Sequence, residues 1–234
     1  LTPEHYDRTL GVFWIVLRRS IELAGLTTII CLLIGYPLAF FISTRRHRLF
    51  QQLCLFLVIL PFWTNFLIRT YAWRILLGEE GTINGFLTSI GLIAEPLQLL
   101  NTPFAVLLGL VYGFLPFMVL PIFASVERFD FKFVDAANDL GASEIQTFLR
   151  VIFPMTLPGV LAGCALVFIP SVGAFVTPDL LGGTKGLMIG NLINNQFGGS
   201  GNLPLGSAMS IVMMVIVMLS LMVYVFANRQ EADS

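Results

Sequence analysis

Charged residues are scarce in this chain of 234 residues. They make up 12% of the sequence, whereas a soluble domain carries roughly 25%. The net charge is −1, and no basic arm suited to binding nucleic acid is present. Hydrophobic residues instead make up 56% of the sequence, including 21 Phe, and the mean hydropathy is +0.86. This composition excludes an ordinary soluble domain and is typical of an integral membrane protein in contact with lipid.

Cysteine and histidine are also few, and their placement argues against metal binding and covalent catalysis. The two histidines, His5 and His47, are isolated from each other and from cysteine. The three cysteines lie inside apolar runs, at Cys31, Cys54 and Cys164. This spacing gives neither a metal-ligand pattern nor a disulfide framework. No Ser-His-Asp or Cys-His arrangement is evident, so an intramembrane enzyme is disfavoured and no catalytic residue or metal site is predicted.

A nucleotide-binding loop is missing as well. The glycine-rich stretch LLGGTKGL, residues 180–187, contains Gly-Gly-Thr-Lys but lacks the G-x4-G-K-[ST] spacing that cradles phosphates. We interpret it as a flexible loop outside the membrane. The chain is therefore expected to bind no cofactor of its own and to hydrolyse no ATP.

Five apolar segments are long enough to cross a bilayer, which takes about 20 residues in a helix. Each is too long for an ordinary strand, so all five are predicted to be helices. They run approximately over Ile21–Ser43, Leu49–Ile68, Pro103–Ser125, Leu157–Val176 and Leu205–Ala227. The predicted fold is an all-α, polytopic transmembrane helical bundle that forms one domain over residues 1–234.

Lys and Arg near the ends of the spans predict the orientation of the chain. The tightest cluster, STRRHR at residues 43–48, is expected on the cytoplasmic side. The alternation of spans then places residues 127–156 and the tail, residues 228–234, inside. Residues 77–102 and 177–204 become outer loops.

The same alternation places the N-terminus outside, although no signal peptide precedes it. We therefore expect a further helix upstream of Leu1. Residues 1–20 are interpreted as an outer, partly amphipathic segment that leads into the first visible span.

Residues 127–156 interrupt the apolar sequence with a polar segment, here called the coupling loop, which parses as two short helices. Asp130 is the expected N-cap of the first, and Gly141 is expected to end it in the left-handed conformation that glycine adopts most easily. Ser143 and Gln146 have the spacing of a capping box for the second, and Pro154 is expected to stop it. Such a pair could be gripped by a cytoplasmic protein or be an ordinary loop, and periodicity alone does not decide.

The coupling loop resembles the signature of inner-membrane permeases of ABC importers, written E-A-A-x3-G-x9-I-x-L-P. The matching residues keep the spacing of that signature throughout: Asp135-Ala136-Ala137, Gly141 and Val151-Ile152-Phe153-Pro154. The departures are Asp for Glu, Val for Ile and Phe for Leu. In that family the first short helix sits in a cleft of an ATP-binding subunit. The resemblance implies that the coupling residues are Asp135, Ala136, Ala137, Leu140, Gly141 and Ala142.

The resemblance extends over most of the chain. Four runs are similar to the spermidine/putrescine permease group, and to its B-type more than its C-type subunit: LPFWTNFLIRTYAW, GLVYGFLPFMVLPIF, AGCALVFIPSVGAFVTPDLLGG and MIGNLI. That group has six spans in each subunit, so the first would precede Leu1. Membership implies a bacterial inner-membrane protein that works by alternating access. The implied partners are a second permease subunit, two ATP-binding subunits that carry ATP and Mg, and a soluble extracytoplasmic substrate-binding protein.

Polyamines are long and multiply cationic, so a pathway for them needs aromatic faces and a few acceptor groups. The candidates are Trp63 and Asn65 in the second span, Tyr112 in the third and Asp179 just beyond the fourth. Each of these side chains could equally serve packing or capping. Arg69 is awkward for a cation pathway.

Two other functions remain open at this stage. The chain could be a permease for another small solute, or a secondary transporter or channel driven by an ion gradient. Secondary transporters often place acids inside their spans, whereas Glu22, at the edge of the first span, is the only candidate here. We expect Glu22 to pair with Arg69.

Overall fold

The structure, a computed structural model, describes residues 3–45, 47–198 and 201–232. Within these residues the chain is helical and contains no β-strand. The helices are α1 Pro3–Ser43, α2 Arg48–Ile59, α3 Phe66–Leu76, α4 Thr82–Ser89, α5 Pro103–Glu127, α6 Lys132–Asp139, α7 Glu144–Thr147, α8 Phe153–Val172, α9 Val176–Leu181, α10 Ile189–Phe197 and α11 Leu203–Ala232. A 3-10 turn, Leu60–Trp63, follows α2, and a π-helical turn, Phe148–Ile152, joins α7 to α8.

Three helical stretches of the described chain are long and apolar enough to cross a membrane: Phe13–Ser43, Pro103–Glu127 and Glu144–Val172. A fourth arises if the bent pair α2–α3 is counted as one span. The apolar part of α11, Leu203–Leu219, is shorter. The all-α, membrane-spanning fold is thus confirmed, while the total of five spans stays a prediction.

The predicted second span, Leu49–Ile68, is not one continuous helix, so that expectation is wrong. The chain bends by 90° between Trp63 and Phe66. Pro61 lies in the 3-10 turn before the bend, where its missing N–H and fixed φ disfavour regular α-helix. The Asn65 side chain then accepts the N–H of Leu67 at 2.8 Å and begins α3.

The predicted fourth span, Leu157–Val176, also ends earlier than expected, because α8 stops at Val172 and the chain unwinds before α9. Groups on α10 satisfy the unwound backbone. The amide of Asn191 donates to the carbonyl of Phe175 at 2.8 Å. Gly190 lies so close to the carbonyls of Gly173 and Ala174 that a Cβ would approach their oxygens to 2.6 Å. Asn191 lies 16 positions from Phe175 in the sequence. The hydropathy pattern contains no sign of this partner, so it predicted a span that continues past the true end of the helix.

The first predicted span is part of a longer helix. Residues 3–20 of the expected outer segment, residues 1–20, continue without interruption into the span as α1, and Leu1 and Thr2 lie outside the described residues. Of the predicted cytoplasmic cluster at residues 43–48, Arg46 also lies outside them, as do residues 233–234 of the tail.

The chain groups into two compact units. The first comprises Leu1–Thr28, Phe62–Gly113 and Phe168–Ser220, and the second comprises Ile29–Pro61, Phe114–Val167 and Leu221–Ser234. One core of the first unit joins α1, α8, α10 and α11 through Phe13, Leu17, Ala24, Val172, Ile189 and Met209. Within it the buried hydroxyl of Ser20 accepts the N–H of Ile189 at 2.8 Å, which ties α10 to α1.

In the second unit, α1, α5 and α8 pack at glycines. A Cβ on Gly35 of α1 would lie 3.0 Å from the Met118 side chain of α5. A Cβ on Gly159 of α8 would lie 2.6 Å from the carbonyl oxygen of Pro121. Small residues that allow such close approach are typical of helix pairs in membranes.

The orientation can be tested with two exposed carboxylates, Glu80 in the predicted outer loop and Asp139 in the coupling loop. In a variant without the three native cysteines, a single Cys at Glu80 should react with a membrane-impermeant thiol reagent on intact cells. A single Cys at Asp139 should react only after the membrane is opened. If, on intact cells, the Cys at position 139 reacts and the Cys at position 80 does not, the predicted topology is wrong and the opposite one holds.

Candidate functional site

The first helix of the coupling loop, α6, begins with a side-chain hydrogen bond from the residue that the sequence indicates. The Asp130 carboxylate accepts the N–H of Lys132 at 3.0 Å. The helix is assigned from Lys132, with Phe131 in the cap position and no side-chain bond from it. Asp130 therefore satisfies an N-terminal donor, as predicted, from one residue further out.

The end of α6 confirms the role predicted for Gly141. Its φ is +82°, its N–H donates to the Asn138 carbonyl at 2.9 Å, and the Ala142 N–H donates to the Ala137 carbonyl at 3.0 Å. These two bonds form a Schellman motif, which needs a residue in the left-handed conformation. Nothing lies within 4 Å of where a Cβ would be, so the position requires glycine for its backbone and not for space.

The second helix, α7, has the predicted capping box. The Gln146 N–H donates to Ser143 Oγ at 3.4 Å, and the Ser143 N–H donates to Gln146 Oε1 at 3.1 Å. The Thr147 side chain is buried, and its hydroxyl donates to Asn138 Oδ1 at 3.5 Å. This bond connects α7 to α6.

The predicted stop at Pro154 is wrong, because the helical chain runs through it. A π-helical turn, Phe148–Ile152, continues from α7 into α8, and the Phe153 N–H donates to the Phe148 carbonyl five residues back. Pro154 occupies the first turn of α8, where a missing N–H is tolerated after the wider turn. The coupling loop is thus joined to a membrane helix without a break.

The predicted coupling residues lie on an accessible surface of the second unit. Asp135, Ala136 and Gly141 are exposed, Ala137 and Ala142 are half-buried, and Leu140 is 89% exposed. The predicted list of coupling residues leaves out four further exposed apolar side chains of this segment: Phe131, Phe133, Ile145 and Leu149. In the sequence, these side chains could have been found as apolar residues just before the motif and at its variable positions. A cluster of exposed apolar side chains on a polar helix pair is typical of a protein contact surface.

The substrate-pathway candidates of the second predicted span lie at its bend. Trp63 ends the 3-10 turn and is 78% exposed. Asn65 is exposed, but its side-chain oxygen caps α3. The side-chain amide oxygen of Asn65 is therefore already used to begin α3 after the bend.

Tyr112 of α5 is half-buried against α3. Its ring lies edge-on to Trp73, with centroids 5.4 Å apart. The Arg69 guanidinium carbon lies 5.5 Å from the Tyr112 ring centroid, and 5.4 and 5.5 Å from those of Phe62 and Phe66. The aromatic faces around Tyr112 thus surround a cation that belongs to the protein itself.

The expected pairing of Glu22 with Arg69 is wrong. Glu22 accepts a hydrogen bond from Arg18, one turn earlier on α1, at 2.7 Å. That partner is on the same helix face at the i, i+4 spacing, which makes the pair local.

Asp179 lies in the first turn of α9 and is exposed. Helix α9 rests against α3, so Asp179 belongs to the same unit as Trp63, Asn65 and Tyr112. Within the described part of the chain, no cluster of His, Cys, Asp and Glu has the arrangement of a metal site.

The glycine-rich stretch at residues 180–187, expected to be flexible, is packed into the first unit. Leu181 is fully buried. A Cβ on Gly182 would lie 2.8 Å from the Cα of Gly186, and the Arg19 guanidinium donates to the Lys185 carbonyl at 2.8 Å. The glycines serve close packing of the backbone, so the prediction of a flexible loop is wrong.

The long apolar helices are those of a membrane-embedded helical protein, and the capped helix pair carries the permease motif. The chain belongs to the family of binding-protein-dependent transport system inner membrane components, whose family model matches residues 32–231. It is a permease subunit of an ABC transporter in the bacterial inner membrane, as the motif in the coupling loop predicted.

Two relatives match nearly the whole chain. The spermidine/putrescine transport system permease protein PotB of Haemophilus influenzae is 46% identical over 98% of this chain and 80% of the relative. The protein of the same name from Escherichia coli strain K12 is 45% identical over 97% of this chain and 83% of the relative.

The fold also resembles a solved transporter of very different sequence. A bacterial ABC transporter involved in the import of the acidic polysaccharide alginate matches with a TM-score of 0.71 at 18% identity, over 93% of this chain and 78% of that one. This likeness supports the fold. It carries no information about the solute, because a likeness at 18% identity shows the fold alone.

Proposed function

We propose that the chain forms one half of the translocation pathway for polyamines in an ATP-driven importer that works by alternating access. The observation that carries the proposal is the identity of 45–46% over nearly the whole chain to permease proteins named for spermidine and putrescine. A second permease subunit would form the other half of the pathway. A soluble extracytoplasmic protein would deliver the substrate.

The coupling loop is the proposed contact with an ATP-binding subunit, and the 127–156 segment is proposed to be cytoplasmic. Two such subunits would bind ATP and Mg, since this sequence contains no loop for a nucleotide. The exposed Leu140 and the surrounding apolar side chains would fill the cleft of the partner. The Schellman turn and the capping box keep the two helices rigid, which a mechanical contact requires.

A permease of this kind needs no catalytic group of its own. ATP binding would close the two ATP-binding subunits around the coupling loops. The closure would rotate the spans and open the pathway to the binding protein, and hydrolysis would reset it. The protein's contribution is mechanical, through the continuous helix from α7 into α8.

The proposed substrate pathway combines an exposed tryptophan with an exposed acid. Trp63 is the more accessible aromatic candidate, because the faces near Tyr112 surround Arg69. Asp179 supplies a carboxylate in the same unit. Asn65 would contribute only through the bend that it caps.

The proposal predicts ATP-dependent uptake of labelled spermidine and putrescine by the complex of both permease subunits and two ATP-binding subunits in vesicles supplied with the binding protein. Trp63→Ala should lower uptake by about two- to thirtyfold, the range set by one cation–π contact. Asp179→Asn should lower it by a similar factor. Trp14→Ala and Glu80→Gln are matched controls, since they remove another exposed tryptophan and another exposed acid.

Each alternative has its own outcome in this experiment. Uptake of another solute with no response to either polyamine would keep the permease and discard the substrate. Uptake driven by an ion gradient without ATP would favour a secondary transporter or channel. Full polyamine uptake in both Trp63→Ala and Asp179→Asn would leave the substrate class standing and remove these residues from the pathway.

A further inference from the structure

A π-helical turn, Phe148–Ile152, lies between α7 and α8 within the coupling loop. A π turn has one extra residue and is rarely longer than a single turn. It can return to α-helical bonding by a change of register. A displacement of α6 and α7 could therefore be taken up in this turn before it reaches α8.

The side chain of Tyr36, on α1, lies against both ends of this turn. Its ring is edge-on to Phe148, the first residue of the turn, with centroids 5.7 Å apart. It also contacts Phe153, directly after the turn, at 5.8 Å. Tyr36 is 7% exposed, so both contacts lie inside the second unit.

The hydroxyl of Tyr36 is connected to the last carbonyl of the turn. It lies 2.9 Å from the hydroxyl of Thr156, which is fully buried. The Thr156 hydroxyl donates its proton to the Ile152 carbonyl at 2.9 Å, so Tyr36 is the donor to Thr156. The carbonyl of Thr156 in turn accepts from Ser125 of α5, at 3.4 Å. Three membrane helices thus meet at Thr156, one turn beyond the π turn.

We propose that Tyr36 is a positioning residue for coupling. It braces the π turn so that movement of α6 and α7 is transmitted to α8 and α1. This inference rests on the proposed ATP-driven transport. The brace has two parts, the aromatic contacts with Phe148 and Phe153 and the hydrogen-bonded chain from Tyr36 through Thr156 to Ile152. Without the hydroxyl, the rings would still pack, but the register of the turn would lose its fixed point.

Tyr36→Phe and Thr156→Val test the hydrogen bond in the complete transporter in vesicles. The uptake of substrate per ATP hydrolysed should fall about fivefold in each, the factor that corresponds to one net hydrogen bond. The double variant should be no worse than Thr156→Val alone, because that substitution already removes the bond between Tyr36 and Thr156. Thr156→Ser keeps the hydroxyl and should stay near wild type. The rate of ATP hydrolysis and the amount of assembled complex should not change.

Thr27→Val is the matched control. Thr27 is also fully buried on α1, and its hydroxyl donates to the Leu23 carbonyl of its own helix at 2.7 Å. If Tyr36→Phe changes uptake per ATP no more than Thr27→Val does, the brace is wrong. A parallel loss of uptake, hydrolysis and assembled complex would mean that Tyr36 only supports the fold.

A second measurement separates this inference from the proposed function. Hydrogen exchange at residues 148–153, in the same complex, should be faster in Tyr36→Phe than in wild type and unchanged in Thr27→Val. Unchanged exchange in Tyr36→Phe would overturn the brace, whatever the substrate. If Tyr36→Phe exchanges faster in a complex that shows no ATP-driven uptake, Tyr36 does brace the turn, but the proposed transport function is wrong.

Discussion

Gly141→Val should uncouple transport from ATP. The φ of +82° at this position costs an ordinary L-residue about 1–2 kcal/mol and is more strained for a β-branched side chain. The Schellman turn would rearrange and the angle between α6 and α7 would change. Uptake by the complete transporter should fall at least about tenfold, while the protein still inserts into the membrane.

The chain contains a matched control for this substitution. Gly91 follows α4 with a φ of +72° and also has nothing within 4 Å of a Cβ. Its N–H and that of Leu92 make the same pair of bonds, to Thr88 and Leu87. Gly91→Val should strain an equivalent turn and leave binding of the ATP-binding subunit intact. Gly141→Asn should retain most activity, because Asn tolerates the left-handed conformation. Normal ATP-driven uptake by Gly141→Val would show that this turn is not the coupling site.

Leu140→Asp should abolish stable binding of the ATP-binding subunit. Leu140 is 89% exposed, so the substitution leaves the core of the permease untouched. Burying a leucine contributes about 1.5–3 kcal/mol, and a charge placed in the same apolar contact adds a desolvation cost. Copurification of the ATP-binding subunit with the tagged permease should fall at least tenfold, by about the loss of that burial alone.

Leu92→Asp provides the comparison for Leu140→Asp. Leu92 is 69% exposed and, like Leu140, lies next to the glycine of a Schellman turn, but it belongs to the predicted outer loop. The Leu92→Asp variant should copurify with the ATP-binding subunit as the wild-type permease does. Equal retention of that subunit by both variants would place the contact elsewhere on the permease.

Arg69 limits what the aromatic residues near the bend can do in this conformation. Its guanidinium lies within 5.5 Å of three ring centroids. Since cation–π attraction acts within about 6 Å, these faces already interact with a positive charge. A cationic substrate near Tyr112 would be repelled by Arg69. The uptake experiment therefore tests the exposed Trp63 first.

Local patterns in the sequence were sufficient for the coupling loop up to Gln146. The positive φ at Gly141 and the capping box of Ser143 with Gln146 depend on residues within a few positions of one another. Capping and turn chemistry of this kind is short-ranged, so spacing alone predicts it. Hydropathy likewise predicted the membrane class and the approximate positions of the spans, because lipid imposes a minimum length of apolar helix.

Features that depend on distant partners could not be read from spacing. The helix continues through Pro154 because a π turn precedes it, and Tyr36, 120 positions from its partner Thr156, contacts both ends of that turn. The fourth span ends at Val172, and in the unwound stretch that follows, the amide of Asn191 on α10 donates to the carbonyl of Phe175. Hydropathy measures average burial and carries no signal for such single bonds.

The sequence by itself therefore determined that this protein is an all-helical membrane protein and that a glycine turn lies at Gly141, because composition and short-range capping decide those properties, and its resemblance to the permease signature indicated the family. Only the tertiary structure decided that residues 180–187 are packed, where Arg19 of α1 donates to the Lys185 carbonyl, and that Tyr36 of α1 contacts both ends of the π turn. In both cases the deciding group comes from another part of the chain. Its distance in sequence leaves no local pattern, since backbone satisfaction and close packing are settled only when the helices meet.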